Sequence, residues 1–400
     1  MIYSGLILNH RIWQNLLTAM RTRRLHHAML FHGPAGTGKA AHAIELAAAL
    51  NCTLLTDTGP CGKCIDCKKV RSFQHGNIKI VLPYPRKAGI DRNTPAIKAL
   101  SDPDVASLCE QMETMGKDPY FKIELNNANT ILINSIRDLK NELYLSGPDS
   151  GSRIVLILNA EYLCLPDHTS ANALLKILEE PPDRTYFFLV TPRSDLLAET
   201  VISRCQRIYF PAIPEMEVES FLTSRGESAA HAHLIARLSE GNMHLTRNFQ
   251  GMVHQLYENV KTTLNAVFTQ NPDLWIKLHK EVNRLKLSSR VELDYFFRAG
   301  IFGFRDLLML TETSDIENLV FADNYEKYRN VLEKFPYAKW TECIQIMDDA
   351  LSYIRANGYL PLVINAMLME MQPVLRGENI NRFSLQDRTN ESLSSHIQAR

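Results

Sequence analysis

Four hundred residues exceed what one ordinary core organises, so two or three domains are expected. Lys plus Arg and Asp plus Glu number 44 each, and this zero formal charge excludes a bulk field that would draw the chain onto nucleic acid or a membrane surface. No apolar run approaches the roughly 20 residues that cross a bilayer, Met1 to Trp13 lacks a secretion-signal pattern, and the eight cysteines argue for metal binding or burial rather than a disulfide framework, so a cytoplasmic protein is expected.

Ile2 to Arg24 reads as a short lead-in and an amphipathic helix, with Ile12, Leu16, Leu17 and Met20 at helical spacing. His26 and His27 are neighbours on a segment expected to be extended, which would turn them to opposite faces and rule out a ligand pair. The apolar run Ala28 to Phe31 then enters HGPAGTGK, and an alanine-rich helix follows, the strand, loop and helix order of a phosphate-binding P-loop. Gly33, Gly36 and Gly38 permit the backbone angles that point successive N–H groups at a phosphate, and Lys39 adds a point charge. The next position calls for a Ser or Thr hydroxyl to bind Mg²⁺, and the chain has Ala40.

Cys52 is followed by Cys61, Cys64 and Cys67 in CGKCIDC, two overlapping C-x-x-C steps that can aim thiolates at one point. This pattern predicts a structural Zn²⁺ with Cys52 as fourth ligand in preference to His75, and a closed four-thiolate site has no open position for substrate. Ile78 to Leu82 reads as a strand, and Pro83 to Asn129 as a surface insertion with one helical piece around Val105 to Met115. A helix is expected over Ile131 to Leu145 and a turn over Gly147 to Ser152.

Arg153 to Leu158 is a continuous apolar run of the kind that forms a central parallel strand. A P-loop ATPase ends this strand in an acid that orders Mg²⁺, often followed by a glutamate that activates water. Here those positions are Asn159 and Ala160, and neither can serve. Glu161 stands one residue late, where strand alternation would turn it the other way. Thr169 to Pro182 reads as a helix with Leu174, Leu175 and Leu178 inward, Tyr186 to Val190 as a buried strand ahead of Thr191, and Arg207 to Phe210 as a further strand.

The glycine loop, the cysteine module directly after it, NALLKILEEPP at 172–182, the strand ending in Thr191 and the triplet Ser203, Arg204, Cys205 together resemble the bacterial DNA polymerase III clamp-loader subunits of the AAA+ class over Ile2 to Phe210. The resemblance implies an α/β P-loop AAA+ domain over 1–210, carrying the zinc module at 52–67 and the insertion at 83–129. A small helical lid at 211–252, an all-α collar at 253–375 that joins subunits, and a mobile polar tail at 376–400 would follow. The changes at Ala40, Asn159 and Ala160 are similar to the delta-prime subunits of the class rather than the hydrolysing gamma and tau subunits.

By the same resemblance, Arg204 is expected to reach into the ATP site of an adjacent subunit, where a fixed guanidinium stabilises charge on a transferring phosphoryl group. Thr191 falls where the family senses the γ-phosphate, and His244 replaces a lid arginine that contacts nucleotide. The implied function is DNA replication, with gamma/tau and delta subunits as partners, and the sliding clamp and primed DNA engaged through the complex. ATP or ADP would be held weakly, without productive Mg²⁺. An active gamma/tau-like ATPase and a zinc-dependent nucleic-acid module are the alternatives, the latter disfavoured by the neutral charge.

The collar carries apolar repeats at Trp275 to Leu287, Val291 to Thr311, Ile316 to Phe335 and Trp340 to Ala356. Lys277, Lys280, Arg284 and Lys286 form a stripe that reads as a solvated helix face rather than a DNA contact.

Overall fold

The computed structural model describes residues 1–85, 94–145, 151–269, 271–288, 290–313, 316 and 318–379. Most of the turn expected at 147–152, part of the segment 83–129 and residues 380–400 of the tail lie outside the described residues. The chain divides into two compact units, one of Met1–Ala232 with Ser239–Asn248 and one of His233–Leu238 with Phe249–Arg400.

The first unit is built on five parallel strands: β1 (Ala28–His32), β2 (Ile78–Val81), β5 (Arg153–Leu158), β6 (Thr185–Thr191) and β7 (Gln206–Tyr209). They lie in the order β2-β5-β6-β1-β7, and a two-stranded antiparallel ribbon pairs β3 (Tyr84–Pro85) with β4 (Ala128–Thr130). Side chains alternate across the sheet, so each central strand feeds two cores. Met29, Phe31, Ile154, Leu156 and Phe188 face the core that holds Trp13 and Ile44, from the helices α1 (His10–Arg21) and α2 (Lys39–Asn51). Leu30, Val155, Ile157, Phe187 and Leu189 face a second core, which α5 (Ile133–Leu145) and α6 (Thr169–Glu179) cover with Ile136, Leu139, Leu174 and Ile177. This is the α/β P-loop architecture that the resemblance implies.

Three local expectations change in the first unit. His26 and His27 do not face apart: His27 sits in a bend ahead of β1, and the two rings stack with centroids 4.5 Å apart. Each ring instead meets a backbone carbonyl, that of Ala28 or Leu178. The segment 83–129 is not confined to the surface. After α3 (Ile65–Arg71), its helix α4 (Asp102–Lys117) starts at a capping box made by Ser101 and Asp104, and Leu108, Met115 and Ile123 are buried in the Trp13 core. Finally, the chain leaves strand geometry at Asn159 (φ +51°), so the alternation argument does not extend to Glu161.

Beyond β7, α7 (Glu199–Ile202) having preceded it, the first unit continues through α8 (Glu215–Thr223), part of α9 (Ala229–Ser239) and most of α10 (Met243–Phe249). The second unit is helical, with α11 (Val253–Thr269), α12 (Pro272–Ser288), α13 (Arg290–Glu312), α14 (Tyr325–Lys334), α15 (Trp340–Arg355) and α16 (Leu360–Leu375). α11 and α16 fall outside the four ranges that periodicity marks out. α13 runs against both α11 and α15. A Cβ at Gly300 would lie 2.6 Å from Met347 Cε and 3.2 Å from Thr263 Cγ2, so a side chain there would displace the flexible end of Met347.

The helix expected from Ile316 starts only at Tyr325. The buried Asp306 carboxylate captures the N–H groups of Val320 (2.8 Å) and Phe321 (2.9 Å) together with the Tyr328 hydroxyl (3.2 Å), which removes those two amides from any helical ladder. The stripe Lys277, Lys280, Arg284 and Lys286 is exposed along α12, with Arg284 paired to Glu281 at 2.6 Å. Among the described residues no helix is long and apolar enough to cross a membrane.

Candidate nucleotide and metal sites

β1 delivers the glycine loop, and α2 begins at Lys39 with Gly38 as its left-handed N-cap (φ +76°). Gly33 (φ +131°) lies where a Cβ would collide with the Phe210 carbonyl, and Gly36 (φ +72°) where one would strike the Asn242 side chain. The loop therefore has the geometry foreseen from GPAGTGK. The Met243 N–H donates to the Gly36 carbonyl (3.1 Å), which ties the loop to the start of α10.

Lys39 is buried and folds back on the loop. Its Nζ donates to the Gly33 carbonyl (2.9 Å), to the Pro34 carbonyl and to Thr37 Oγ1 (3.2 Å). Burial pushes its pKa down to about 8, against the Glu161 carboxylate, which pulls it up. A cavity of about 310 Å³ opens beside it, bounded by residues 35–40 of the loop, by Tyr120, Phe121, Lys122 and Glu124, and by Asn159 and His244. This volume falls at the lower end for a small-ligand site.

Ala40 and Asn159 both border the cavity, so the two positions at which a P-loop ATPase carries its magnesium-ordering side chains come together here. His244 is half-buried among the same groups; desolvation, with the positive charges of Lys122 and Lys39, lowers its pKa, against the Glu124 carboxylate, which raises it. Thr191 ends β6 fully buried, and its hydroxyl donates to Glu161 Oε2 at 2.6 Å. Arg204 stands apart from this cavity: its Nε donates to Glu179 Oε1 (2.7 Å) and its guanidinium also to the Thr200 carbonyl (2.7 Å).

Glu161 follows the left-handed Asn159, a conformation asparagine tolerates; it bonds Thr191 and is not among the residues that border the cavity. Sequence reasoning misses one part of this site. Residues 119–124 form one cavity wall and come from the segment read as a surface insertion. They are held by the Tyr120 hydroxyl, which accepts from the Ile7 N–H (2.8 Å), and by an ion pair between Asp118 and Arg247 of α10. Nothing in the polar, weakly periodic sequence marks that contact.

His42, one turn into α2, has a fixed tautomer. Its Nε2 accepts from the Asn9 N–H (3.2 Å), which leaves Nδ1–H to donate to the Gly38 carbonyl (2.8 Å). Burial pushes its pKa down to about 4, with the Gly38 carbonyl opposing. The unfolded chain, with histidine near 6.5, then binds more protons, so stability is full above about pH 6.5 and is lost as pH falls toward 4. Urea unfolding should lose ~2 kcal/mol between about pH 7 and pH 5 from this residue, and His42→Gln should remove that part of the slope. An equal slope in the variant would assign the pH dependence elsewhere.

Cys52 closes α2 and Cys64 caps α3, and these two elements bring Cys52, Cys61, Cys64 and Cys67 together with all Sγ atoms within 4.8 Å. Cys52 to Cys64 and Cys61 to Cys67 each span 3.9 Å, close to the ~3.8 Å edge of a tetrahedron with ~2.3 Å zinc–sulfur bonds. Backbone N–H groups point at the sulfurs: Cys61 N to Cys52 (3.3 Å), Lys63 N (3.4 Å) and Cys64 N (3.3 Å) to Cys61, and Cys67 N to Cys64 (3.4 Å). Such donors offset thiolate charge, and the donor set fits zinc. His75 is not among the ligand atoms; its Nε2 lies 3.5 Å from Asp66 Oδ1.

A family model described as DNA polymerase III, delta subunit, matches residues 8–214. The chain belongs to that family. The matched span of the delta-subunit family includes the glycine loop, the four cysteines, Thr191 and Arg204, and stops before His244. Among relatives, the DNA polymerase III subunit delta' of Bacillus subtilis (strain 168) is 25% identical over 330 residues, covering 80% of this chain and 83% of that protein. The delta' subunit of Escherichia coli (strain K12) is 27% identical over 231 residues, 58% of this chain and 56% of its own length. The tau subunit of Bacillus subtilis is 23% identical over 367 residues, 86% of this chain and 57% of its own length. The chain thus spans a little over half the length of two of these three relatives.

Proposed function

We propose that this member of the DNA polymerase III delta-subunit family is a delta-prime-type subunit of the replicative clamp loader that does not hydrolyse ATP itself. The observation that carries the reading is the pocket beside Lys39, where Ala40 and Asn159 stand at the two positions that would seat magnesium and Ala160 at that of the water-activating glutamate. Gly33, Gly36, Gly38 and Lys39 can still hold a nucleotide's phosphates through amides and one ammonium, without a productive metal. Arg204 is the residue that acts: presented at the surface beside Glu179, it completes the ATP site of a neighbouring subunit as an arginine finger. The cysteine module holds a structural Zn²⁺ that folds its loop onto the P-loop helix.

The helical second unit acts as the collar through which gamma/tau and delta subunits join, and the sliding clamp and primed DNA are reached through that complex. Mixing the purified chain with gamma/tau and delta subunits should give one hetero-oligomeric species on size-exclusion chromatography. Separate elution of this chain at micromolar concentration would contradict the reading. The relation to a tau subunit across 86% of the chain makes an active gamma/tau-like ATPase the competing reading, and steady hydrolysis by the isolated chain would favour it.

A further inference from the structure

Lys122 borders the cavity beside Lys39 and has no part in the reading above. With Glu124 and Asn159 it also borders an adjoining cavity of about 180 Å³. The backbone that carries it is pinned at both ends. Asp118 pairs with Arg247 and accepts from the Tyr120 N–H (3.0 Å), and the Gln111 amide holds Glu124 through both its N–H (2.7 Å) and its carbonyl (2.9 Å). On this fixed ledge the Lys122 ammonium donates to Glu124 Oε1, and both side chains are exposed, so the pair is weak enough to exchange for a better anion. Glu124 is the only carboxylate among the described residues that border the larger cavity. Asn159 is half-buried at its left-handed turn, and its side-chain amide makes no hydrogen bond among the described residues. His244, on the same cavity, feels the charges of Lys39, Lys122 and Glu124 alike.

We propose that this cavity holds a phosphoryl anion free of magnesium, with Lys122 and Asn159 as further binding residues beside Lys39. In a P-loop ATPase the acid at the end of this strand faces the phosphates across a metal ion, which separates two like charges. Asparagine carries no charge to be separated, and its Nδ2–H is a donor that a phosphate oxygen can accept from directly. The substitution that loses the metal's partner therefore makes the bare anion acceptable. Lys122 adds a second ammonium to that of Lys39, and the loop amides with the start of α2 supply the remaining donors. The inference rests on the reading of a non-hydrolysing pocket and names the form of ligand that the pocket takes.

Isothermal titration of the full chain with ADP and with inorganic pyrophosphate, each in EDTA and in excess magnesium, tests it. Wild-type chain should bind ADP in EDTA, and excess magnesium should weaken that binding by about threefold or more, because the metal covers oxygens that Lys122 and Asn159 contact. Lys122→Ala, at an exposed position, should weaken binding in EDTA by about tenfold. Asn159→Asp should reverse the sign of the magnesium effect, a readout that a merely loosened pocket does not move. Pyrophosphate bound within about tenfold of ADP would assign the site to the phosphates alone, and weaker binding to a nucleotide; either result supports a metal-free site. Wild-type binding that requires magnesium, or no binding of either ligand in EDTA, overturns the inference, as does unchanged affinity in Lys122→Ala. Steady ATP hydrolysis by the chain would instead defeat the non-hydrolysing reading, so the two failures are told apart.

Discussion

Arg204→Ala is expected to slow ATP hydrolysis at one neighbouring site of a reconstituted clamp loader by about 10³-fold, while the ring still assembles. The size follows from the chemistry: phosphoryl transfer spreads charge over the γ-phosphate oxygens, and a guanidinium supplied in trans is worth about 10³–10⁵ in rate. Arg204 is suited to be lent out. Its fixed contacts are Glu179 at the end of α6 and the Thr200 carbonyl, both within its own surface, and its side chain keeps 32% exposure. Exposed pairs of this kind contribute at most about 1 kcal/mol to stability, so the alanine variant should fold and assemble normally. Arg204→Lys should rescue little, because an ammonium cannot reproduce the planar fork. Single-turnover hydrolysis in the assembled complex reads the effect as loss of one site's fast phase. Unchanged phases in a complex shown to contain the variant would remove Arg204 from the mechanism.

Cys64→Ser should lower bound zinc from about one ion per chain toward zero and destabilise the first unit by ~4 kcal/mol, a fall in melting temperature of about 10 °C. Cys64 serves twice, as a corner of the thiolate tetrahedron and as the N-cap of α3. Backbone N–H groups of Lys63 and Cys64 hold the Cys61 thiol below its usual range, and for Cys64 those of Cys67 and Thr53 outweigh the burial that raises it. Burial raises Cys52 and Cys67 instead, so metal binding at neutral pH has to displace the protons of those two thiols. The loss should spread, since Cys67 is fully buried and the other three cysteines pack against the core holding Trp13 and Ile44. Metal analysis and thermal unfolding of protein purified without chelator check this. Fully reduced, folded protein lacking metal would contradict it.

Where the chain's local chemistry decides the structure, the sequence is readable. The apolar runs of β1, β5 and β6 are buried on both faces, and the glycines of the loop sit at positive φ, as residue type alone suggests. The cysteines converge because two short C-x-x-C turns leave them little choice. What was not readable depends on contacts distant in sequence. The wall at residues 119–124 is set by partners at Ile7 and Arg247, more than a hundred positions away on either side. The interruption before Tyr325 is imposed by Asp306, a single acid in the preceding helix that removes two amides from a segment with helical spacing. The contact of Glu161 with Thr191 follows a backbone angle at Asn159 that period-two reasoning does not include.

ATP turnover by the purified chain alone, in excess magnesium and beside Lys39→Ala, tests most directly whether the pocket at the end of β1 is chemically silent. The expected result is no steady phosphate release above the Lys39→Ala background. Sustained release that disappears in Lys39→Ala would show a working catalytic site despite Ala40, Asn159 and Ala160, and would contradict the reading of the protein as a partner that acts through Arg204.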